Sequence, residues 1–152
     1  MKRSEPVELM NMCVLRRGSK VLVQDRTDPN WPGVAFPGGH VEKGEYVTPS
    51  VIREMQEETG PTIKAPRLCG IKEFHKQKDG KRYIVFLYVA DSFTGRLKAS
   101  SEGEIFWYPL CELAKSDKLI EGFDEMLPVF INGKISEVYY EKIADDFKTI
   151  YC

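Results

Sequence analysis

The sequence predicts an α/β domain in which a mixed β-sheet carries helices on both faces. β-rich segments alternate with helical patterns along the chain, an order typical of this class. Residues 83–90 are apolar on both faces, which indicates a central buried strand. A chain of 152 residues with 42% hydrophobic residues is ordinary for one soluble globule. We therefore expect a single domain over residues 1–152.

The first strands are predicted at residues 7–16 and 21–24, and Gly18-Ser19 suits a hairpin turn between them. Residues 34–36 form a short strand that leads into Pro37-Gly38-Gly39. Residues 68–77 and 82–92 are expected to pair antiparallel through a tight turn at Asp79-Gly80. A further strand is predicted at 104–108 and helices at 110–115 and 123–131. Residues 136–152 fit helix or strand, with Tyr139-Tyr140 expected at the edge of the domain.

A helix of about 11 residues is predicted at 49–59 from its end signals. Thr48 is a good N-cap, and Pro49 suits the first helical position. Gly60 stands where a left-handed residue ends a helix, and Pro61 prevents continuation. Val51, Ile52 and Met55 are expected to face the core.

The predicted helix places Glu54, Glu57 and Glu58 within an arc of roughly 100°. Carboxylates crowded in this way repel one another unless a cation lies among them. Oxygen ligands favour a hard cation, Mg²⁺ or Mn²⁺, and such ions point to phosphate chemistry. The alternative is a solvated acidic helix face. Arg53 is expected to reach Glu57, and also Glu45 in the preceding glycine-rich loop.

Residues 39–61 as a whole resemble the Nudix box, with the pattern G-x5-E-x7-R-E-M-x-E-E-x-G. The matching residues are Gly39, Glu45, Arg53, Glu54, Met55, Glu57, Glu58 and Gly60. The one departure is Pro61, where a bulky aliphatic residue is usual. The resemblance implies the Nudix fold, an α/β/α sandwich in which the box forms a loop-helix-loop at one edge.

The same resemblance implies the metal site and the catalytic groups. Its metal ligands would be Glu54, Glu57, Glu58 and the carbonyl of Gly38. A further acid from a later loop is expected at Glu102, with Glu104 as second choice and an ordinary polar loop as the alternative. The expected general base is Glu54, with Glu102 as its rival, and Arg53 completes the catalytic set.

Substrate contacts are expected from Arg26, Phe36 and Gly39. Related enzymes often carry an arginine facing the phosphates at the place of Arg26, although a surface pairing with Asp25 or Asp28 is the alternative. Trp31 and Phe36 could stack on a base or belong to the core. His40 is expected to be a loop residue with local hydrogen bonds. His75, near Lys72, is expected either to line an entrance for phosphates or to lie at a solvated position of a strand.

The implied activity is hydrolysis of a nucleoside diphosphate linked to another moiety. The compact chain resembles MutT-type members, which cleave nucleoside triphosphates, including oxidised dGTP, to the monophosphate and pyrophosphate. ADP-sugar or dinucleoside polyphosphate hydrolysis stays open, as does a nucleotide sensor without catalysis. The partner is a small nucleotide, and a homodimer is left open.

Composition excludes several other classes. The formal net charge of −1 gives no general attraction to polymeric nucleic acid. No apolar run approaches the roughly 20 residues that span a bilayer, and the N-terminus lacks the apolar stretch of a signal peptide. The 4 cysteines form no C-x-x-C pair, which indicates reduced thiols and a cytoplasmic location.

Overall fold

The structure is a computed structural model that describes residues 2–152. Its strands are β1 (Val7–Arg17), β2 (Lys20–Arg26), β3 (Gly33–Ala35), β4 (Gly38–His40), β5 (Thr62–Lys64), β6 (Arg67–Lys76), β7 (Lys81–Ala90), β8 (Ser92–Thr94), β9 (Gly103–Pro109), β10 (Glu137–Ile143) and β11 (Asp146–Tyr151). Its helices are α1 (Val47–Thr59), α2 (Leu110–Leu113) and α3 (Phe123–Ile131).

The main sheet has the strand order β11-β10-β6-β7-β1-β2-β3, with β4 paired to β1 and β9 paired to β2. β7 lies at its centre, parallel to β1 and antiparallel to β6, as its two-sided apolar pattern predicts. The mixture of parallel and antiparallel pairs confirms the predicted mixed sheet. β5 and β8 form a separate two-stranded sheet.

The two faces of the sheet carry separate apolar clusters because side chains alternate along each strand. On one face Val51 and Met55 of α1 pack with Cys13 of β1. On the other, Phe123 of α3 packs with Val14 of β1. Helices therefore cover both faces, which confirms the α/β/α arrangement.

Helix α1 begins two residues earlier than predicted, and the expected N-cap is wrong. Its cap is Tyr46, which makes no side-chain capping bond. The Thr48 hydroxyl instead lies 2.9 Å from the Tyr88 hydroxyl, so a distant strand competes for the group that would have capped the helix. Pro49 lies within the first turn, where its missing N–H leaves no acceptor unpaired. Gly60 ends the helix at φ 95°, as predicted.

The C-terminal segment is a β-hairpin, which resolves the ambiguity between helix and strand. β10 pairs with β11 from Val138 to Ile143 and lies parallel to β6 for three residues, with Val138 opposite Lys72. Tyr139 and Tyr140 lie in β10, next to the edge strand of the sheet.

The short strands β4, β5 and β8 lacked a sequence signal because three residues carry too little periodicity. No helix in residues 2–152 is both long and apolar enough to cross a membrane.

Candidate active site

The acidic edge of α1 faces the glycine-rich segment around β4. The Gly38 N–H donates a hydrogen bond of 3.0 Å to Oε2 of Glu58. Gly39 lies over Glu54, and a Cβ built on Gly39 would come within 2.6 Å of either carboxylate oxygen. A side chain at position 39 would therefore displace the Glu54 carboxylate, and glycine allows the close approach.

Arg53 joins the loop to the helix through a network of hydrogen bonds, as the sequence predicts. Its Nε and Nη2 each donate a bond of 2.9 Å to one carboxylate oxygen of Glu45. Its Nη1 donates to Glu54 at 2.9 Å and to Glu57 at 3.0 Å. Its Nη2 also reaches the backbone carbonyl of His40 at 3.1 Å. These contacts raise the pKa of Arg53, through the Glu45 hydrogen bond first, and the Arg53 hydrogen bond lowers the pKa of Glu45.

Glu58 is the most deeply buried acid of the site, with 4% of its surface exposed. Burial is the main reason that its pKa rises to about 9, and the adjacent Glu102 carboxyl adds a hydrogen bond and charge repulsion. The Gly38 amide acts in the opposite direction but does not outweigh the burial. A buried carboxyl beside another acid holds a proton unless a cation replaces it.

Glu54 and Glu57 differ in exposure, although the same guanidinium contacts both. The Glu54 side chain is 14% exposed, whereas that of Glu57 is 60% exposed. Burial raises the pKa of Glu54, with added repulsion from Glu57 and Glu102, while Arg53 acts to lower it. The site therefore combines two largely enclosed acids, Glu54 and Glu58, with one exposed acid, Glu57.

Glu102 comes from a turn more than 40 residues after the helix, yet it reaches the cluster. Its carbonyl accepts a 3.0 Å hydrogen bond from the Thr27 amide, which ties the turn to the end of β2. The next residue, Gly103, has φ 148° and packs its Cα against the Asp25 backbone, where a Cβ would not fit. Glu104 lies one residue further, in β9 opposite Asp25. Of the two acids predicted from this segment, Glu102 is the one that contacts Glu58.

Asn11 is a site residue that the sequence reasoning missed. It is 2% exposed, and its side chain links β1 to both parts of the acidic site. Its Oδ1 accepts from the Gly39 amide at 3.4 Å, and its Nδ2 donates to the Ser50 hydroxyl at 2.9 Å. A polar residue inside the apolar run of β1 was the available signal.

Arg26 and Phe36 line an inner cavity that extends from Gly38 to Lys72 and Trp31. Nε of Arg26 is buried and has no hydrogen-bond partner in residues 2–152, so the surface pairing with Asp25 or Asp28 does not account for it. Phe36 is 1% exposed, and its ring centroid lies 4.7 Å from that of Phe123. Enclosure on that side leaves Phe36 no open face for a stacked base, so it forms the floor of the cavity.

The residues at this site suit a divalent cation by their chemistry. Oxygen donors from Glu54, Glu57, Glu58, Glu102 and Gly38 are the ligand type that Mg²⁺ and Mn²⁺ prefer. Burial, with added repulsion from neighbouring acids, raises the pKa values of Glu54 and Glu58, which disfavours their charged forms in the absence of a cation. Across residues 2–152, no three His, Cys, Asp or Glu side chains are already arranged as a metal-binding group. Binding of a cation by these residues would require the carboxylates to turn from their present partners.

Comparison with known proteins places the fold and this site in one family. The model of the NUDIX domain matches residues 10–130, which include both the acidic helix and Glu102. The chain belongs to the NUDIX family, and the resemblance of its residues 39–61 to the Nudix box is confirmed.

Three relatives are similar over part of their length. The chain is 42% identical to the uncharacterized Nudix hydrolase YvcI of Bacillus subtilis over 66% of this chain and 65% of that protein. It is 32% identical to the ADP-ribose pyrophosphatase of Methanocaldococcus jannaschii over 60% of this chain and 54% of that protein. It is 28% identical to the putative 8-oxo-dGTP diphosphatase YtkD of B. subtilis over 76% of this chain and 73% of that protein. The chain thus spans less than two thirds of the first two relatives.

A solved structure supports the fold assignment. The mutator MutT protein from Bacillus halodurans superimposes with a TM-score of 0.75 over 95% of this chain and 97% of that one, at 24% identity. An overlap of this extent confirms the Nudix fold.

Proposed function

We propose that this protein hydrolyses a phosphoanhydride bond of a nucleoside diphosphate linked to a further group, with Mg²⁺ or Mn²⁺ as cofactor. The observation that carries this proposal is the convergence of Glu54, Glu58 and Glu102 beside Gly38. A structural role for these acids would leave their mutual repulsion uncompensated. A divalent cation that accompanies a phosphate substrate supplies the missing compensation.

The metal would be held by Glu54, Glu57, Glu58, Glu102 and the Gly38 carbonyl. When bound, it neutralises phosphate charge and makes a water molecule more acidic. The helix fixes three of these acids on one rigid element, which limits the rearrangement needed to bind the ion. Arg53 holds Glu45, Glu54 and Glu57 in place and so acts as a positioning residue.

Glu54 is the proposed general base, with Glu102 as its rival. A base works best when its pKa lies near the working pH, and burial raises the pKa of Glu54 in that direction. Gly39 keeps the space above the Glu54 carboxylate clear of a side chain. The Glu102 side chain is exposed and comes from a turn rather than from the helix, which makes it the second choice.

Arg26 is the proposed phosphate contact from the cavity side. Its guanidinium lines the same inner cavity as Gly38, so phosphates near the acids lie within the compartment that it faces. A buried Nε without a partner in the described chain is a donor available to a phosphate oxygen. Gly39, with Gly38, would bring backbone atoms close to the substrate.

The proposed substrate class is a nucleoside triphosphate, including 8-oxo-dGTP, cleaved in the MutT manner to the monophosphate and pyrophosphate. Similarity to a putative 8-oxo-dGTP diphosphatase supports this choice. Similarity to an ADP-ribose pyrophosphatase supports the second candidate, hydrolysis of an ADP-sugar. Dinucleoside polyphosphates and a sensor without catalysis are the remaining alternatives.

A metal-dependent screen with product separation tests the proposal. Purified protein is incubated with nucleoside triphosphates, 8-oxo-dGTP, ADP-ribose and a dinucleoside polyphosphate, in Mg²⁺, in Mn²⁺ and in EDTA. We expect hydrolysis only with a divalent ion, and release of pyrophosphate rather than orthophosphate from triphosphates. Full rate in EDTA would exclude the mechanism. Metal-dependent nucleotide binding without turnover would favour the sensor.

A further inference from the structure

An outer cleft continues the inner cavity away from the acidic helix. It has a volume of about 680 Å³, within the usual range of ligand pockets. The inner cavity and the outer cleft share four lining residues, Trp31, Lys72, Phe74 and Glu121. The far wall of the cleft comes from the C-terminal hairpin, through Tyr140, Phe147 and Thr149. A molecule with its phosphates beside Gly38 would extend toward this cleft.

The hairpin is held against the start of α3 by Glu125. The Thr149 hydroxyl donates a 3.1 Å hydrogen bond to Oε1 of Glu125. The Tyr151 hydroxyl donates a 2.9 Å bond to the Glu125 backbone carbonyl. Burial and the Glu125 carboxylate raise the pKa of Tyr140, which keeps the hydroxyl neutral and able to donate. Glu125 is therefore fixed in orientation, with Oε2 directed toward Gly122.

Lys72 lies opposite this carboxylate with its ammonium group between two aromatic rings. Its Nζ is 5.4 Å from the Tyr140 ring centroid and 5.6 Å from that of Phe74. No carboxylate oxygen of residues 2–152 lies within 4.0 Å of Lys72 Nζ, so the ammonium has no ion pair there. Burial lowers the pKa of Lys72, and the Glu125 and Asp124 carboxylates act in the opposite direction.

Gly122 leaves an open position between these groups. A Cβ built on Gly122 would lie 3.6 Å from both Lys72 Nζ and the Tyr140 hydroxyl, and 3.7 Å from Oε2 of Glu125. A cationic donor and an anionic acceptor thus face one small space at the mouth of the cleft. Trp31 lines the same cleft with 44% of its surface exposed, which leaves a face on which a planar ring can stack.

We propose that Lys72 and Glu125 read the edge of a guanine-type base, and this inference rests on the proposed function of the site. Such a base presents a 6-carbonyl acceptor beside an N1–H donor and a 2-amino donor. Lys72 donates to the carbonyl, and Glu125 accepts from the two N–H groups. Adenine places an amino donor where Lys72 also donates, so it leaves both charged groups unmatched.

Direct binding of nucleoside monophosphates tests this proposal independently of catalysis. Titration calorimetry compares GMP, IMP and AMP in Mg²⁺ with the wild-type protein. We expect the order GMP, IMP, AMP, since IMP lacks only the 2-amino group and adenine lacks the 6-carbonyl. Hydrogen bonds to charged partners predict a preference of about 10- to 100-fold for GMP over AMP. Equal affinities, or no binding of either nucleotide at millimolar concentration, would overturn the inference.

Variants assign the preference to the two residues. Lys72→Met removes the ammonium group, keeps an unbranched side chain of similar size, and should abolish the preference for GMP over AMP. Glu125→Gln should reduce the preference for GMP over IMP. Lys78→Met, an exposed lysine in the turn between β6 and β7, is the matched control and should bind as wild type. Circular dichroism melting verifies folding of each variant. A folded Lys72→Met that keeps the wild-type preference would exclude the role of Lys72.

Failure of the proposed function gives a different result. If the protein binds GMP preferentially through Lys72 but hydrolyses no nucleotide, the base-reading inference stands and the enzymatic proposal is overturned. If the protein hydrolyses adenine and guanine nucleotides with equal kcat/KM and binds their monophosphates equally, the enzymatic proposal stands and this inference is overturned.

Discussion

Arg53 and Glu45 form a two-point contact in which Nε and Nη2 of the guanidinium each lie 2.9 Å from one carboxylate oxygen. The two side chains are 25% and 18% exposed, so solvent screens this pair less than a surface ion pair. The contact ties the glycine-rich loop to the helix that carries the acids. Under the proposed function, this pair would position the acids without itself touching the substrate.

Arg53→Lys should reduce kcat by about 10²-fold, because lysine cannot reproduce the planar two-point contact and the loop shifts relative to the acids. Glu45→Gln keeps one acceptor oxygen and should have a smaller effect than loss of Glu57. Steady-state kinetics at saturating Mg²⁺ measure both variants. Arg53→Lys with wild-type kcat would contradict the positioning role.

Glu57→Gln should reduce turnover by on the order of 10³-fold with the fold intact, because a negative charge at the metal is lost. The side chain is 60% exposed, so its removal has little effect on packing. Rates at several Mg²⁺ concentrations and a melting curve provide the measurement. Glu112→Gln, at an exposed acid of α2, is the control. A near-normal rate for Glu57→Gln would rule out a metal-binding role.

Gly39→Ala and Gly38→Ala should have different consequences. A Cβ on Gly39 meets the end of the Glu54 side chain, which can move, so we expect activity to fall about 10²-fold with little change in melting temperature. A Cβ on Gly38 meets the Asn11 backbone and lies 2.8 Å from Met12 Cα. Because backbone cannot move aside, Gly38→Ala should lower stability by about 1–3 kcal/mol. Urea denaturation measures the stability of both variants, and steady-state kinetics measure their activity. Equal losses of stability would contradict the predicted difference between Gly38 and Gly39.

Stability without metal should fall as the pH rises, because Glu58 holds its proton more tightly in the folded chain. The pKa of Glu58 is about 9 in the folded chain, whereas its ordinary value is 4.5. Its favourable contribution to folding stability is therefore complete below about pH 4.5 and lost by about pH 9. Melting temperatures in EDTA between pH 6 and pH 9 measure this. Glu58→Gln cannot ionise and should give a flatter profile. Parallel profiles for the two proteins would argue against the raised pKa.

Arg26→Ala should raise KM about 10-fold while the melting temperature changes little. The buried Nε of the guanidinium has no partner in the described chain, so its removal breaks no hydrogen bond of that atom. Arg96→Ala, at an exposed arginine, is the control. A large loss of stability with unchanged KM would indicate a structural role for Arg26 instead of a substrate contact.

Helix α1 has some features that local sequence predicts and one that it does not. Spacing within one helix follows from backbone geometry, so the clustering of Glu54, Glu57 and Glu58 could be predicted from 3.6 residues per turn. The end at Gly60 could also be predicted, because a helix often ends at a residue with positive φ and glycine adopts that conformation without a steric cost. The start at Val47 could not, because Thr48 bonds to Tyr88, a residue 40 positions away.

The sequence by itself determined the class of fold, the acidic helix and the ion pair that positions it, since these depend on short-range geometry and on a pattern of fixed spacing. Only the tertiary structure decided that Glu102 meets Glu58, that Asn11 supports Gly39 and that the C-terminal hairpin brings Glu125 opposite Lys72. Such contacts join segments far apart in the chain, and their formation depends on how both faces of the sheet pack.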